Sequence, residues 1–83
     1  MRFITRYNKL ASIAQYIRQE KTGSLEEFAK KCEIKKDRLF DLIETLREFA
    51  GIEDAKILYD SYRKTYYFDP PGKFSDFKFI ADN

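Results

Sequence analysis

Histidine is absent from this chain, cysteine occurs once, proline twice and glycine three times. Without histidine there is no imidazole general base, no Ser-His or Cys-His nucleophile pair and no His-containing zinc set. The three glycines, Gly23, Gly51 and Gly72, are too few and too scattered for a phosphate-binding loop, a dinucleotide fingerprint or an EF-hand loop. Cys32 stands alone, so no internal disulfide is possible, and a reducing cytoplasm is the expected setting. No apolar run approaches the roughly 18–20 residues needed to cross a bilayer, so no membrane partner is expected. The opening Met1-Arg2-Phe3-Ile4-Thr5-Arg6 is broken by charge too early for a signal-peptide core. These absences argue against an enzyme, and no cofactor or metal site is expected.

The residues present fit one small folded domain over residues 1–83. At 43% hydrophobic and 36% charged residues, the chain is far from disordered or membrane compositions. A globule of 83 residues buries only about 60–65% of its unfolded surface, which leaves little room for an interior active site. The net charge of +2 is unevenly spread. Residues 1–21 hold Arg2, Arg6, Lys9, Arg18 and Lys21 against Glu20, a local balance of +4, while the remainder is close to neutral or slightly acidic. Such a basic end can meet phosphates, and a solvated helix face reads the same way.

Apolar periodicity predicts three helices. Phe3, Tyr7, Leu10, Ile13, Ala14 and Ile17 recur at three- and four-residue spacing and place a helix near 5–20. Ser24-Leu25-Glu26-Glu27 is a capping box, in which Ser24 and Glu27 each satisfy the other's backbone amide. It opens a short helix over 25–32 that buries Leu25, Phe28, Ala29 and Cys32, with Cys32 read as a small core residue. After a tight connection, Leu39, Leu42, Ile43, Leu46, Phe49 and Ala50 predict a third helix over 36–50, ended by Gly51. Its other face carries Lys36, Asp37, Arg38, Asp41, Glu44, Thr45 and Glu48. A short helix, a tight turn and a longer helix make a helix-turn-helix arrangement.

Beyond Gly51 the pattern turns to strands. Residues 56–60 and 65–69 are rich in aromatic and branched side chains and read as a hairpin with Arg63 and Lys64 at its tip. Pro70-Pro71-Gly72 stops the second strand. Phe77 and Phe79 alternate with Lys78 and indicate one short final strand. The predicted fold is α+β, a winged helix-turn-helix of three helices followed by a hairpin wing and a short C-terminal strand. Most of the fourteen aromatics read as core and cross-strand packing; exposed tyrosines on the hairpin could instead stack on single-stranded bases or anchor a protein contact.

Residues 25–68 resemble the helix-turn-helix module of bacterial regulators that also carry a WYL ligand-sensing domain. The residues concerned are Leu25-Glu26-Glu27-Phe28-Ala29-Lys30-Lys31, Ile34, Leu39-Phe40, Leu46-Arg47 and Tyr66-Tyr67-Phe68. The chain is similar over nearly its whole length to small stand-alone bacterial winged-helix proteins with a tyrosine-rich hairpin and a PGKF-type tail, here Pro71-Gly72-Lys73-Phe74. The resemblance implies DNA binding and transcriptional control, with double-stranded DNA as partner and Lys35, Lys36, Arg38, Phe40 and Asp41 facing it. Glu33 stands where the family usually has glycine, Lys35 where it has a small hydroxyl cap, and Phe40 where tyrosine is usual. Asp37 and Asp41 replace neutral or basic residues.

Physical reasoning reaches the same face. A helix of about fifteen residues makes a rod of ~22 Å, long enough for a major groove. Arg38 could grip guanine, Lys35 and Lys36 could sit on phosphates, and Arg63 and Lys64 could add a backbone or minor-groove contact. The alternative reading is a winged-helix protein-interaction module without DNA binding, its mixed-charge third helix merely solvated. A homodimer is expected if the apolar tail Phe74, Phe77, Phe79 and Ile80 forms an interface; otherwise the tail covers its own sheet or first helix.

Overall fold

The computed structural model describes residues 2–75 and 78–82, with side chains from Asn8 onward. Helices α1 (Arg2–Gln19), α2 (Leu25–Cys32) and α3 (Lys36–Ile52) are followed by strands β1 (Lys56–Asp60), β2 (Thr65–Asp69), β3 (Gly72–Ser75) and β4 (Lys78–Ala81). The fold is α+β, flattened to 36 × 32 × 17 Å across its Cα positions. Among the described residues no helix is long and apolar enough to cross a membrane.

The helices end where local chemistry requires. The Ser24 hydroxyl accepts from the Glu27 amide at 3.3 Å while the Glu27 carboxylate accepts from the Ser24 amide at 3.0 Å, so the capping box is present as expected. At the other end of α2, Glu33 lies in the left-handed region with φ of 57°. Its amide and that of Ile34 donate back to the Lys30 and Ala29 carbonyls, a closure usually built on glycine. Helix α3 runs past its expected end. Gly51 is helical, and the left-handed residue is Asp54, φ 60°. The Ala55 amide returns to the Ala50 carbonyl at 2.9 Å, and burial of Ala55 closes this end by apolar contact.

One core joins all parts. Leu10, Ile13, Ala14 and Ile17 of α1 meet Phe28 and Ala29 of α2, Leu39, Leu42, Ile43, Leu46 and Ala50 of α3, and Ile57, Phe68 and Phe79 from the strands. Phe28 is fully buried, with Tyr16 edge-on at 5.8 Å and Tyr66 at 6.0 Å. Phe3 and Tyr7, which continue the α1 stripe, lie with Phe77 outside the residues whose side chains are described.

Strands β1 and β2 pair antiparallel with Ile57 opposite Phe68 and Tyr59 opposite Tyr66. The tail departs from expectation: two strands follow Pro71 rather than one, β3 pairing with β4 so that Phe74 faces Phe79. These two rings and Phe68 form a triangle with centroids 5.2–5.7 Å apart. Gly72 makes that approach possible, because a Cβ there would overlap the Ile80 carbonyl and the Phe79 ring. Phe79 is buried and Phe74 packs against the core, so the described tail covers its own molecule, and Ile80 is the large hydrophobic it leaves exposed among the described residues.

Candidate nucleic-acid interface

The short connection between α2 and α3 brings Lys35, Lys36, Arg38, Phe40 and Asp41 together at the start of α3, all exposed. Lys35 takes the N-cap position in extended backbone geometry (φ −71°, ψ 149°) and makes no side-chain cap hydrogen bond. A lysine has no acceptor to offer the first-turn amides, so these point outward unclaimed by a side-chain cap. Lys36 lies 3.6 Å from Glu26 of α2, an exposed pair of the kind that contributes little and exchanges readily. Among the described residues, Lys35 and Arg38 enter no ion pair. Phe40 is 48% exposed beside them.

Further along, the solvent face of α3 changes sign. Asp37, Asp41, Glu44 and Glu48 follow each other at four-, three- and four-residue steps, which places all four carboxylates on one line of the helix. The apolar stripe of α3 predicts this face to be solvent-facing, and Asp37, Asp41 and Glu48 are exposed with Glu44 half-buried. Glu44 is bonded to Arg47, and the Thr45 hydroxyl donates to the Asp41 carbonyl at 3.1 Å.

The hairpin tip does not hold its two cations alike. Arg63 is committed to its own molecule: Nε donates to Asp60 Oδ2 at 2.8 Å, Nη1 donates to Glu20 Oε1 at 2.6 Å, and the guanidinium lies over the Tyr67 ring. Its hydrogen bonds to Asp60 and then to Glu20 raise its pKa. Asp60 is lowered in turn, chiefly by the Arg63 side chain and amide, and its Oδ1 also accepts from the Tyr62 amide. Lys64, in the left-handed region at φ 54°, remains exposed. It acts at a distance on Glu27, whose carboxyl is lowered first by the Ser24 amide and hydroxyl and then by Lys31 and Lys64.

Sequence reasoning missed the tie that fixes the hairpin to the helices. Thr22 and Thr65 are both buried; the Thr22 amide donates to Thr65 Oγ1 at 3.2 Å, and the Tyr66 amide donates to Thr22 Oγ1 at 3.0 Å. Two isolated threonines 43 positions apart give no sequence signal of this contact. Cys32 lies half-buried in a groove of about 270 Å³ with Lys9, Ser12 and Ile34, and burial raises its thiol pKa against the pull of Lys9 and Lys31. Comparison of the chain with family models, characterised proteins and solved structures finds no match.

Proposed function

We propose that this protein is a small DNA-binding protein of the winged helix-turn-helix type, acting in transcriptional regulation inside a bacterial cell. One observation carries the reading: the uncapped start of α3 is exposed together with Lys35, Lys36 and Arg38. Outward amides at the positive end of a helix, with cations beside them, are suited to phosphate oxygens. Arg38 has the geometry for guanine, and Lys64 on the hairpin is available for the backbone.

The acidic line fixes how the helix docks. Glu48 lies ten residues beyond Arg38, about 15 Å along the axis. A helix laid full length in the groove would press Asp41, Glu44 and Glu48 towards phosphates. Entry by the first two turns, with the rest of α3 tilted away, keeps Glu44 and Glu48 clear of the phosphates and leaves Asp41 as the carboxylate that opposes the backbone. Arg63 serves here to stiffen the hairpin rather than to touch DNA.

Fluorescence anisotropy with labelled duplex, titrated across salt concentration, tests the proposal. Arg38→Ala should cost on the order of 1–3 kcal/mol on a preferred site and relax preference at one base pair. Lys36→Ala should weaken all sequences alike and reduce the salt slope by about one. Asp41→Arg should strengthen binding to random duplex. Absence of any low-salt affinity for random duplex, with none created by Asp41→Arg, sinks the DNA reading. A protein-interaction module would then lead, a second reading favoured by the acidic line and by Phe40 and Ile52, which are 48% and 73% exposed at its two ends.

A further inference from the structure

The two outer edges of the β1–β2 hairpin are finished differently. Arg47 Nε donates to the Ile57 carbonyl at 3.2 Å from outside the ladder, so that carbonyl points away from β2. Antiparallel alternation then turns the amide and carbonyl of Tyr59 outward as well, and those of Lys56, Leu58 and Asp60 inward. On β2 the same alternation turns Tyr66 outward, where its amide is taken by the buried Thr22 hydroxyl. The edge of β2 is thus tied to the α1–α2 connection. The edge of β1 is guarded at Ile57 by the Arg47 side chain, and beside it lies an open groove of about 340 Å³ lined by Arg47, Ala55, Lys56, Ile57 and Leu58.

We infer that β1 is the seam of a homodimer, in which a second copy adds its own β1 antiparallel to give a four-stranded sheet ordered β2-β1-β1-β2. The segment Lys56-Ile57-Leu58-Tyr59-Asp60 is complementary to itself about Leu58. Placed on a two-fold axis there, Ile57 meets Tyr59 of the second copy and Tyr59 meets its Ile57. These are the outward-facing residues, so both pairs exchange hydrogen bonds. Lys56 falls opposite Asp60 of the second copy, and Asp60 opposite its Lys56, so the charges match at both ends of the seam. A slip of two residues in either direction leaves one hydrogen-bonded pair and no charge match. The Ile57 carbonyl has a second lone pair, so Arg47 can stay where it is while the new amide binds. This seam does not use the α3 start and stands whether or not that helix meets DNA.

Cross-linking tests it in the full chain, with Cys32→Ser as background. Leu58 would face itself across the axis as a non-hydrogen-bonded pair, with Cα atoms about 4.5 Å apart, within disulfide range. Under mild oxidation, Leu58→Cys should form a disulfide-linked dimer at least about tenfold faster than Tyr62→Cys, whose side chain is freely exposed on the turn. In sedimentation equilibrium, the unmodified chain should dimerise. Lys56→Glu, which puts like charges opposite each other at both ends, should weaken that dimer about tenfold without altering the far-UV spectrum. Equal cross-linking of the two cysteine variants, or dimerisation indifferent to Lys56→Glu, overturns the inference, as does an unmodified chain that stays monomeric at high micromolar concentration.

Discussion

Helices α2 and α3 are neighbours in sequence and in space, yet their starts are built on opposite plans. At the start of α2, Ser24 and Glu27 satisfy each other's amides, Glu26 and Glu27 face the positive end of the helix, and Thr22 just upstream is buried against the hairpin. At the start of α3, Lys35 gives no cap, and Lys35 and Lys36 set positive charge against the positive end, relieved by Asp37 alone in the first turn. The first arrangement commits its polar groups to holding the fold. The second leaves its first-turn amides without a side-chain cap and Lys35 and Arg38 without an ion pair among the described residues, with some loss of local stability. That contrast is why the start of α3, rather than the hairpin tip, carries the proposed function.

Four measurements put this contrast at risk. Thr22→Val should have the largest effect, because the Tyr66 amide loses its acceptor; a loss of about 1–3 kcal/mol is expected in urea unfolding. Ser24→Ala opens the start of α2 and should cost about 1 kcal/mol, seen in the same measurement and as faster amide exchange at Glu27. Lys35→Ser reverses the plan at α3. It should gain up to about 1 kcal/mol of stability while lowering duplex affinity and the salt slope, since a cap is added and a cation removed. If Lys35→Ser stabilises the fold and leaves duplex affinity unchanged, the uncapped start is not the binding element.

The smallest effect is a pH dependence. The Glu27 carboxyl is lowered by its hydrogen bonds to Ser24, so its contribution is complete above the ordinary glutamate pKa and disappears as pH falls through the lower folded value. Stability should therefore decline in the acid range below the ordinary glutamate value. The decline should be somewhat shallower in Ser24→Ala, which removes the hydroxyl's share of the lowering while the backbone amide at position 24 still donates to the carboxylate. Denaturant midpoints followed from neutral to acid pH measure both.

Much of the architecture could be read from local pattern. The stripes of Leu10 to Ile17 and Leu39 to Ala50 gave their helices because burial of one face comes with 3.6-residue periodicity. The tail was harder. Pro70 and Pro71 mark a stop, but the path of the chain beyond them depended on Phe74 and Phe79 finding Phe68, and on Gly72 admitting their approach. At the candidate site, the residue types at the start of α3 were legible. The loss of Arg63 to Glu20 and Asp60 was not, because Glu20 is 43 positions away.

Local sequence was enough to set the three helices, the closed start of α2, the open start of α3 and the first hairpin. Each rests on residues within a turn or two of one another, whose hydrogen bonds and burial are set by local spacing. Tertiary packing had to settle which cations remain free, which strand edge is closed, and where the apolar tail goes. Those outcomes come from pairs such as Thr22 with Thr65, Arg63 with Glu20, and Arg18 with Asp82 at 3.2 Å, whose partners meet only once the core has brought distant elements together.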